Sequence, residues 1–313
     1  MQYNLIVEKS FGTHDGSFHA DEVTACALLQ LFGRIEATKI VRSRDEKELA
    51  RCEYVCDVGG IYDPAKKRFD HHQITYQGLL SSAGMVLLHL KEEGVIDTSE
   101  YQFLNQTLIL GVDAQDNGRD ASPLGVLSFS ALVAHLNPVR YNASPREMDE
   151  AFGKAVAFVL GYLQQLRERF MYAQSCKGTV RHAMDSTRDF CLLFSESLPW
   201  QEQFFELGGV NHPALFVIMP SGSHWKLRCI PPTLSEKMCV RLPLPSEWAG
   251  LAGEPLRRVS GIDGAVFCHK GQFISVWETL QDALLALLWI LKKEGKVIHD
   301  HDFWKNYSGR TTS

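Results

Sequence analysis

Short apolar runs alternate with segments of helical periodicity in the first half of the chain. The runs cover residues 5–7, 38–41 and 54–56. Between the first two, residues 21–32 repeat apolar side chains at the spacing of a helix with one buried face. Strands that alternate with helices form mostly parallel sheets covered by helices. The pattern therefore predicts an α/β fold.

A long helical segment and a change of pattern follow. Residues 148–174 place apolar side chains on one stripe, which predicts a linker helix. From about residue 178 the pattern changes to short strands at 190–194, 214–219, 225–230, 265–268 and 273–276, with one helix at 280–293. A chain of 313 residues also exceeds the usual size of one domain. We therefore predict a first domain of residues 1–176 and a smaller α+β domain of residues 177–313.

Composition excludes several classes of protein. The net charge of −5 and a pI near 6.2 provide no general basic surface for long duplexes. The eight cysteines form no C-x-x-C pair and are expected to be reduced, mostly buried and outside any site. No secretory leader is visible, and the longest apolar run, residues 283–291, is about half of the ~20 residues that span a membrane. A cytoplasmic protein is expected.

Histidine and acidic residues crowd together at four places in the chain. The densest is Asp70-His71-His72; the others are residues 14–21, Asp57 at the end of an apolar run, and residues 113–117. Side chains of these types, without thiolates, are typical of a catalytic metal site rather than a structural zinc. A pair of ions about 3.5–4 Å apart needs a shared carboxylate, for which Asp57 is the candidate. The residue types suit Mn²⁺, Fe²⁺, Co²⁺ or Zn²⁺, and Mn²⁺ is the first choice among these metals.

Simpler interpretations exist for some of these residues. A single histidine is more often structural than ligating, and only the clustering reverses that preference. Ser82-Ala83-Gly84, at a predicted helix start, either holds a phosphate through backbone N–H groups or belongs to an ordinary helix cap.

Several ordered motifs carry a family resemblance. They are residues 12–22 (GTHDGSFHADE), 57–64 (DVGGIYDP), 70–73 (DHHQ), 81–84 (SSAG), 112–118 (VDAQDNG), 225–231 (WKLRCIP), 241–248 (RLPLPSEW) and 260–269 (SGIDGAVFCH). The four histidine and acid clusters resemble those of the DHH phosphoesterase superfamily. The whole set more closely resembles the MYG (melanocyte-proliferating-gene) family of metal-dependent hydrolases.

The resemblance implies a DHH-type catalytic domain followed by a C-terminal domain that binds substrate. It implies two divalent ions, one held by His14, His19 and Asp57, the other by Asp21, Asp57, His71 and Asp113. His72 would act on the substrate, with Asp70 orienting an imidazole. The implied substrate contacts are Asn117, Arg228, Arg241 and His269.

One segment departs from the family pattern. Relatives tend to carry glycines after residue 274, whereas this chain has Ser275-Val276-Trp277. Bulky side chains there replace a close approach of the backbone to a ligand. Trp277 either stacks on a base or packs in the core, and packing is the favoured prediction.

Three functions follow from the sequence. The preferred one is a Mn²⁺-dependent phosphodiesterase, and the resemblance implies 3′→5′ exonuclease action on RNA or short single-stranded oligonucleotides. The second is a phosphohydrolase acting on dinucleotides, nucleoside bisphosphates or pyrophosphate, which the acidic pI favours. The third is a metal-stabilised binding module without turnover. A homodimer is left open.

Overall fold

The computed structural model describes residues 5–119, 122–187, 190–236 and 239–296. Two compact units divide the chain, Met1–Phe170 and Met171–Ser313. Residues 1–4 and the last 17 residues of the predicted second domain lie outside the described residues. The prediction of no secretory leader concerns the first of these segments. The boundary after residue 176 stays a prediction.

Unit one contains a sheet, helices that cover it, and the first part of a long helix. Its strands are β1 Val7–Thr13, β2 Ile40–Arg42, β3 Cys52–Cys56, β4 Tyr62–Asp63 and β5 Arg68–Phe69. Its helices are α1 Ala20–Leu31, α2 Glu46–Leu49, α3 Ser82–Glu92, α4 Thr98–Leu104, α5 Leu110–Asp116, α6 Phe129–Ala134 and α7 Pro145–Ser175. A π-helical turn, Asn105–Ile109, joins α4 to α5, and α7 continues past the division between the units.

The first sheet has the strand order β2-β1-β3-β5-β4. Its first four strands pair in parallel, and only β4 runs antiparallel to its neighbour, β5. The β4–β5 hairpin thus returns the chain to the sheet directly before Asp70. The prediction of an α/β fold with a mostly parallel sheet is confirmed.

Helix α1 lies at the centre of the first core. Residues 20–29 of this helix are all buried, because neighbours cover it on every side. Phe11 and Phe69 of the sheet and Phe152 of α7 belong to the same apolar cluster. A helix this enclosed fixes the position of its own N-terminus, which follows the end of β1.

Unit two contains a second five-stranded sheet. Its strands are β6 Cys191–Leu193, β7 Phe216–Ser221, β8 His224–Cys229, β9 Ala265–Cys268 and β10 Ile274–Trp277. Their order is β6-β7-β8-β10-β9, with β6 parallel to β7 and the other pairs antiparallel. Its further helices are α8 Lys177–Ser186, α9 Gln201–Glu206, α10 Glu254–Ser260 and α11 Leu280–Lys293.

The sequence predicted only one helix in this region, the one that corresponds to α11. Helices α8, α9 and α10 were not expected. Helix α8 directly follows α7, and the other two span only six and seven residues. Segments this short give a weak periodic signal.

The length and apolar character of a helix decide whether it could cross a membrane. No helix within the described ranges combines the length and apolar character that a membrane crossing requires.

Candidate metal centre

Three neighbouring strands end at the same edge of the first sheet, and each is followed by a chemically active side chain. His14 follows β1, Asp57 follows β3 and Asp70 follows β5. These strands are the three central ones in the sheet. The carboxyl edge of a parallel sheet is where ligands bind in open α/β folds. The sheet therefore brings together residues that lie far apart in the sequence.

Asp57 lies at the centre of this group. Its Oδ2 is 3.3 Å from His14 Nε2, and its Oδ1 is 3.5 Å from His71 Nε2 and 3.3 Å from His72 Nδ1. Burial opposes ionisation of this carboxyl, but contacts with His14 and His71 outweigh it and lower its pKa to about 2. Its φ of 57° is left-handed, a conformation that non-glycine residues rarely adopt. Local strain of this kind is commonly found at functional sites.

His14 is oriented by the backbone. Its Nδ1 donates to the carbonyl of Asp15 at 2.8 Å, so the neutral ring carries its lone pair on Nε2. That atom points towards Asp57 and lies 3.2 Å from Glu22 Oε1. A histidine held through one nitrogen, with the other directed into a cluster of carboxylates, has the arrangement typical of a metal ligand.

His71 pairs with two acids. Its Nε2 lies 2.9 Å from Asp116 Oδ2 and 3.5 Å from Asp57 Oδ1, without a well-directed hydrogen bond to either. Burial lowers the pKa of this imidazole, but Asp116 and Asp57 outweigh the effect and raise it to about 10. The pKa of His14 is likewise about 10, because Asp57 and Glu22 outweigh burial. At neutral pH, before a metal ion binds, both rings therefore carry a proton on each nitrogen and a positive charge.

The start of α1 supplies further acidic groups. His19 is the N-cap, and its backbone N–H donates to Glu22 Oε1 at 2.8 Å. Asp21 is fully buried; burial raises the pKa of its carboxyl, and the nearby Asp57 and Glu22 raise it further. Crowded acids without partners raise each other's pKa, and a bound cation would reverse that effect.

Several buried polar atoms of the centre have no hydrogen-bond partner within the described part of the chain. They are both carboxylate oxygens of Asp21, Oε2 of Glu22, Oδ1 of Asp57, Nε2 of His71 and Oδ2 of Asp113. Leaving such atoms unsatisfied costs about 1–3 kcal/mol each. Because all are oxygen or imidazole nitrogen, they fit a divalent ion of the Mn²⁺ or Zn²⁺ type.

Side-chain atoms that could hold a metal ion and lie within 4.8 Å of one another form three groups in the described chain. The groups are His14, His19, Glu22 and Asp57; Asp57, His71 and His72; and His19, Asp21 and Asp116. Asp57 and His19 each belong to two groups, which is the connectivity that a pair of neighbouring ions requires. The structure thus brings together five of the six residues expected as ligands: His14, His19, Asp21, Asp57 and His71.

Asp113, the sixth expected ligand, has other partners. Its Oδ1 accepts hydrogen bonds from Ser81 N at 2.9 Å, Ser81 Oγ at 2.7 Å and Gly84 N at 3.2 Å, at the start of α3. A Cβ at Gly84 would lie 2.3 Å from Asp113 Oδ2, so the glycine is needed for this contact. Of the backbone N–H groups at residues 82–84 considered for phosphate, that of Gly84 therefore donates to a carboxylate of the protein. Oδ2 of Asp113 is buried without a hydrogen-bond partner in the described chain. Asp116, three residues later, contacts His71 and belongs to one of the three groups, whereas Asp113 belongs to none of them.

Besides His72, which was expected to act on the substrate, Glu22 and Asp116 are the two members of these groups that the ligand assignment from sequence missed. Both had a signal in the sequence. Glu22 is three residues after His19, at the position that completes a capping box. Asp116 is three residues after Asp113, so both lie near one face of α5.

The expected catalytic pair lies at the rim of the centre. His72 is 63% exposed, and its Nδ1 lies 2.8 Å from Asp70 Oδ1. Asp70 is buried and accepts from the backbone N–H of Gly60 at 2.6 Å and of His72 at 3.1 Å. With Nδ1 donating to Asp70, the Nε2 atom of His72 is available to a ligand. The cavity beside the pair has a volume of about 760 Å³.

The four expected substrate contacts differ in their surroundings. Asn117 Nδ2 donates to the carbonyl of Asp113 at 2.8 Å, and His269 Nδ1 accepts from the N–H of Gly271 at 2.9 Å. Arg241 donates to backbone carbonyls, among them those of His212 and Gly209, both at 2.6 Å. Arg228 is half-buried on β8 and makes no side-chain hydrogen bond within the described ranges. Of the two arginines, only Arg228 retains its donors for a ligand.

Trp277 is fully buried and packs against Trp248, with ring centroids 5.5 Å apart. Its Nε1 donates to Ser275 Oγ at 2.9 Å. The side chain is therefore part of the core of unit two and presents no face for stacking on a base.

A parallel sheet flanked by helices, with histidine and acidic donors gathered beyond its three central strands, defines an α/β protein with a candidate metal centre. Residues 10–287 match the family model MYG1_exonuc, described as an uncharacterised protein family (UPF0160). The chain belongs to this family, and the predicted MYG resemblance is confirmed.

Relatives are found in bacteria and animals. The chain is 53% identical to a MYG1 protein of Chlamydia pneumoniae, over 92% of this chain and 99% of the relative. It is 33% identical to the human protein named MYG1 exonuclease, over 90% of this chain and 85% of that protein. Among solved structures, RecJ from Thermus thermophilus in complex with Mn²⁺ aligns with a TM-score of 0.29 and 12% identity, covering 93% of this chain and 53% of RecJ.

Proposed function

We propose that this protein is an enzyme, a metal-dependent phosphodiesterase that uses two divalent ions, with Mn²⁺ as the preferred metal. We further propose that it acts as a 3′→5′ exonuclease on RNA or short single-stranded oligonucleotides. The observation that carries the proposal is the convergence of buried, unpartnered carboxylate and imidazole atoms beyond three neighbouring strands. The exonuclease names of the mammalian relatives support the substrate class.

The three donor groups suggest how the ions would be held. Asp57 would be shared, with His14 and Glu22 on one side and His71 on the other; His19, Asp21 and Asp116 would complete the set. When bound, the ions would supply an activated water and neutralise charge on the phosphoryl oxygens.

The side chains of the protein have their own roles in this proposal. Asp70 holds Nδ1 of His72 and so directs its Nε2 towards the cavity. A proton on that nitrogen can be donated to a phosphoryl oxygen or to the departing oxygen. The carbonyl of Asp15 keeps His14 in the tautomer that a cation requires.

The test is hydrolysis of end-labelled RNA and single-stranded DNA by the purified protein with Mn²⁺, after metal analysis. Asp57→Asn and His71→Ala should reduce turnover at least a hundredfold while the protein remains folded by circular dichroism. Cys239→Ser, an exposed thiol in the other unit, serves as the matched control and should have wild-type activity. If the two site variants were as active as wild type, the site assignment would be wrong.

A substrate panel separates the alternatives. Dinucleotides, nucleoside bisphosphates and pyrophosphate are assayed beside the oligonucleotides at several salt concentrations. Oligonucleotide turnover should fall with salt if several phosphates are contacted. Faster turnover of a small substrate would replace the exonuclease proposal, and metal binding without any turnover would leave only a binding module.

A further inference from the structure

A second cavity adjoins the candidate metal centre. Its volume is about 470 Å³, within the roughly 300–1,000 Å³ of small-molecule sites. His19 lines it and also belongs to two of the metal-ligating groups. The other side of the cavity is formed by the loop between α6 and α7, including Asn137, Val139, Arg140 and Tyr141. A ligand that reaches the donors of the centre therefore lies next to this loop.

The loop is fixed at both ends. At its start, Asn137 pairs with both backbone groups of Phe18: its Oδ1 accepts from the N–H at 3.1 Å, and its Nδ2 donates to the carbonyl at 2.9 Å. Phe18 is itself buried against Phe152. At the loop's end, Ser144 and Glu147 exchange hydrogen bonds at the start of α7. The backbone of the loop is thus tied to the segment that carries His19.

The side chains between these ties are exposed. Tyr141 is fully exposed and Val139 is 95% exposed, although both are large and mainly apolar. The Arg140 side chain is 79% exposed, and among the described residues its guanidinium contacts only Glu147, at 3.3 Å, in a surface ion pair of the kind that contributes little to stability. An exposed aromatic ring beside an exposed guanidinium is the combination that binds single-stranded nucleic acid, through base stacking and phosphate contact.

We propose that this cavity is a nucleobase-binding subsite, in which Tyr141 stacks on the base next to the scissile phosphodiester and Arg140 contacts the adjoining phosphate. The inference rests on the proposed function and adds to it the surface that selects the substrate. A base inside a duplex has both faces covered by its neighbours, and a base at the end of a duplex is held by its pairing partner, so neither is free to move onto Tyr141. The subsite therefore favours a single-stranded nucleotide.

The test compares Tyr141→Ala and Tyr141→Phe with wild type in the full chain. Tyr141→Ala should raise KM for a single-stranded oligonucleotide about tenfold or more with little change in kcat, since stacking on an aromatic ring contributes a factor of this size. Tyr141→Phe should retain the wild-type KM. Tyr172→Ala, an exposed tyrosine that does not line the cavity, is the matched control.

A second substrate and a binding measurement keep the outcomes distinct. An oligonucleotide with an abasic terminal nucleotide should show the same KM with wild type and Tyr141→Ala. The subsite would be overturned if wild type and Tyr141→Ala had the same KM for the intact oligonucleotide. It would also be overturned if the substitution raised KM as much for the abasic oligonucleotide as for the intact one. If wild type hydrolyses nothing, the proposed function fails, and anisotropy of a fluorescein-labelled oligonucleotide in EDTA still decides the subsite: weaker binding by Tyr141→Ala supports it, and unchanged binding overturns it.

Discussion

Asp113 and Asp116 show how neighbouring carboxylates of one helix take different roles. Asp113 is buried and receives three hydrogen bonds from the start of α3, so it joins two helices. Asp116 is partly exposed, and its Oδ2 lies 2.9 Å from His71 Nε2. Oδ1 of Asp113 is satisfied by the protein, whereas its Oδ2 is buried without a hydrogen-bond partner in the described chain. Asp116 differs in belonging to a group of side chains that could hold a metal ion.

We predict opposite effects of removing these two side chains. Asp116→Ala should reduce the Mn²⁺ content of the folded protein, because one donor group loses a carboxylate. Asp113→Ala should keep the metal but lower the free energy of unfolding by about 1–3 kcal/mol, since the N–H groups of Ser81 and Gly84 lose their acceptor.

Metal analysis and urea denaturation measure the two quantities in the same samples. Loss of an ion in folded Asp113→Ala protein, with both ions retained in Asp116→Ala, would return the ligand role to Asp113.

The raised pKa values of two histidines predict how metal binding depends on pH. The pKa values of His14 and His71 are both raised to about 10 in the protein without metal. Each ring must lose its proton before its nitrogen can bind a cation, so Mn²⁺ affinity should rise continuously between about pH 6.5 and 8.5. Histidines with an ordinary pKa near 6.5 would give an affinity that levels off above about pH 7.5.

Isothermal titration calorimetry across this range, in buffers of different ionisation enthalpy, measures the affinity and the protons released. Release of up to two protons per protein at about pH 8 is expected from these two rings. Affinity that is flat above about pH 7.5 without proton release would show that His14 and His71 do not carry protons in the metal-free protein.

At the scale of elements, the centre depends on where strands and helices end. Strands β1, β3 and β5 place His14, Asp57 and Asp70 at one edge, and the start of α1 adds Asp21 and His19. The π-helical turn Asn105–Ile109 directly precedes α5 and shifts the phase of the helical residues that follow. Periodicity read from the sequence assumes a regular α-helix, so it cannot specify which acid of α5 faces His71.

In unit two, Arg241 connects separate segments. Its guanidinium donates to the carbonyls of Gly209, His212, Ala214 and Pro231. Arg241→Met should lower the free energy of unfolding by about 2 kcal/mol or more, because several carbonyls lose a charged donor. The KM of the folded enzyme for an oligonucleotide should not change.

Arg228→Met is the matched comparison, since this arginine has no such bonds within the described residues. It should leave stability nearly unchanged. A raised KM with normal stability in Arg241→Met would support the substrate contact implied by family resemblance.

The whole molecule contains two compact units, and the metal-ligating groups found among the described residues all lie in the first. A ligand that binds only folded unit one stabilises that unit by mass action, by about 2.7 kcal/mol at a hundredfold excess over Kd. For a unit of this size, the midpoint of thermal unfolding should rise by roughly 5–10 °C.

Differential scanning calorimetry with Mn²⁺ and with EDTA measures this shift. His14→Ala should lose most of the shift, while Arg228→Met, in the other unit, should retain it. An equal shift in His14→Ala would mean that Mn²⁺ stabilises the protein at another place.

Much of this organisation follows from local sequence. The alternation of apolar runs with helical segments predicted the parallel sheet, and the run at residues 54–56 correctly ended before Asp57. Strand β1 continues to Thr13, past the run predicted at residues 5–7, so its end before His14 was not read from the apolar pattern. Packing of Trp277 was also predicted, and the structure places it in a buried aromatic cluster.

Other features depend on distant contacts. The acid of α5 that meets His71 is decided by the π-helical turn and by the start of α3, which receives Asp113. The bonds of Arg241 join segments that are 10 to 32 residues away in the sequence. The family and the fold class could thus be read from the order and type of the residues, and the same order pointed to most side chains of the candidate centre. Which of their oxygens and nitrogens receive hydrogen bonds from the protein and which have none depends on packing between distant segments, and so it required the folded structure.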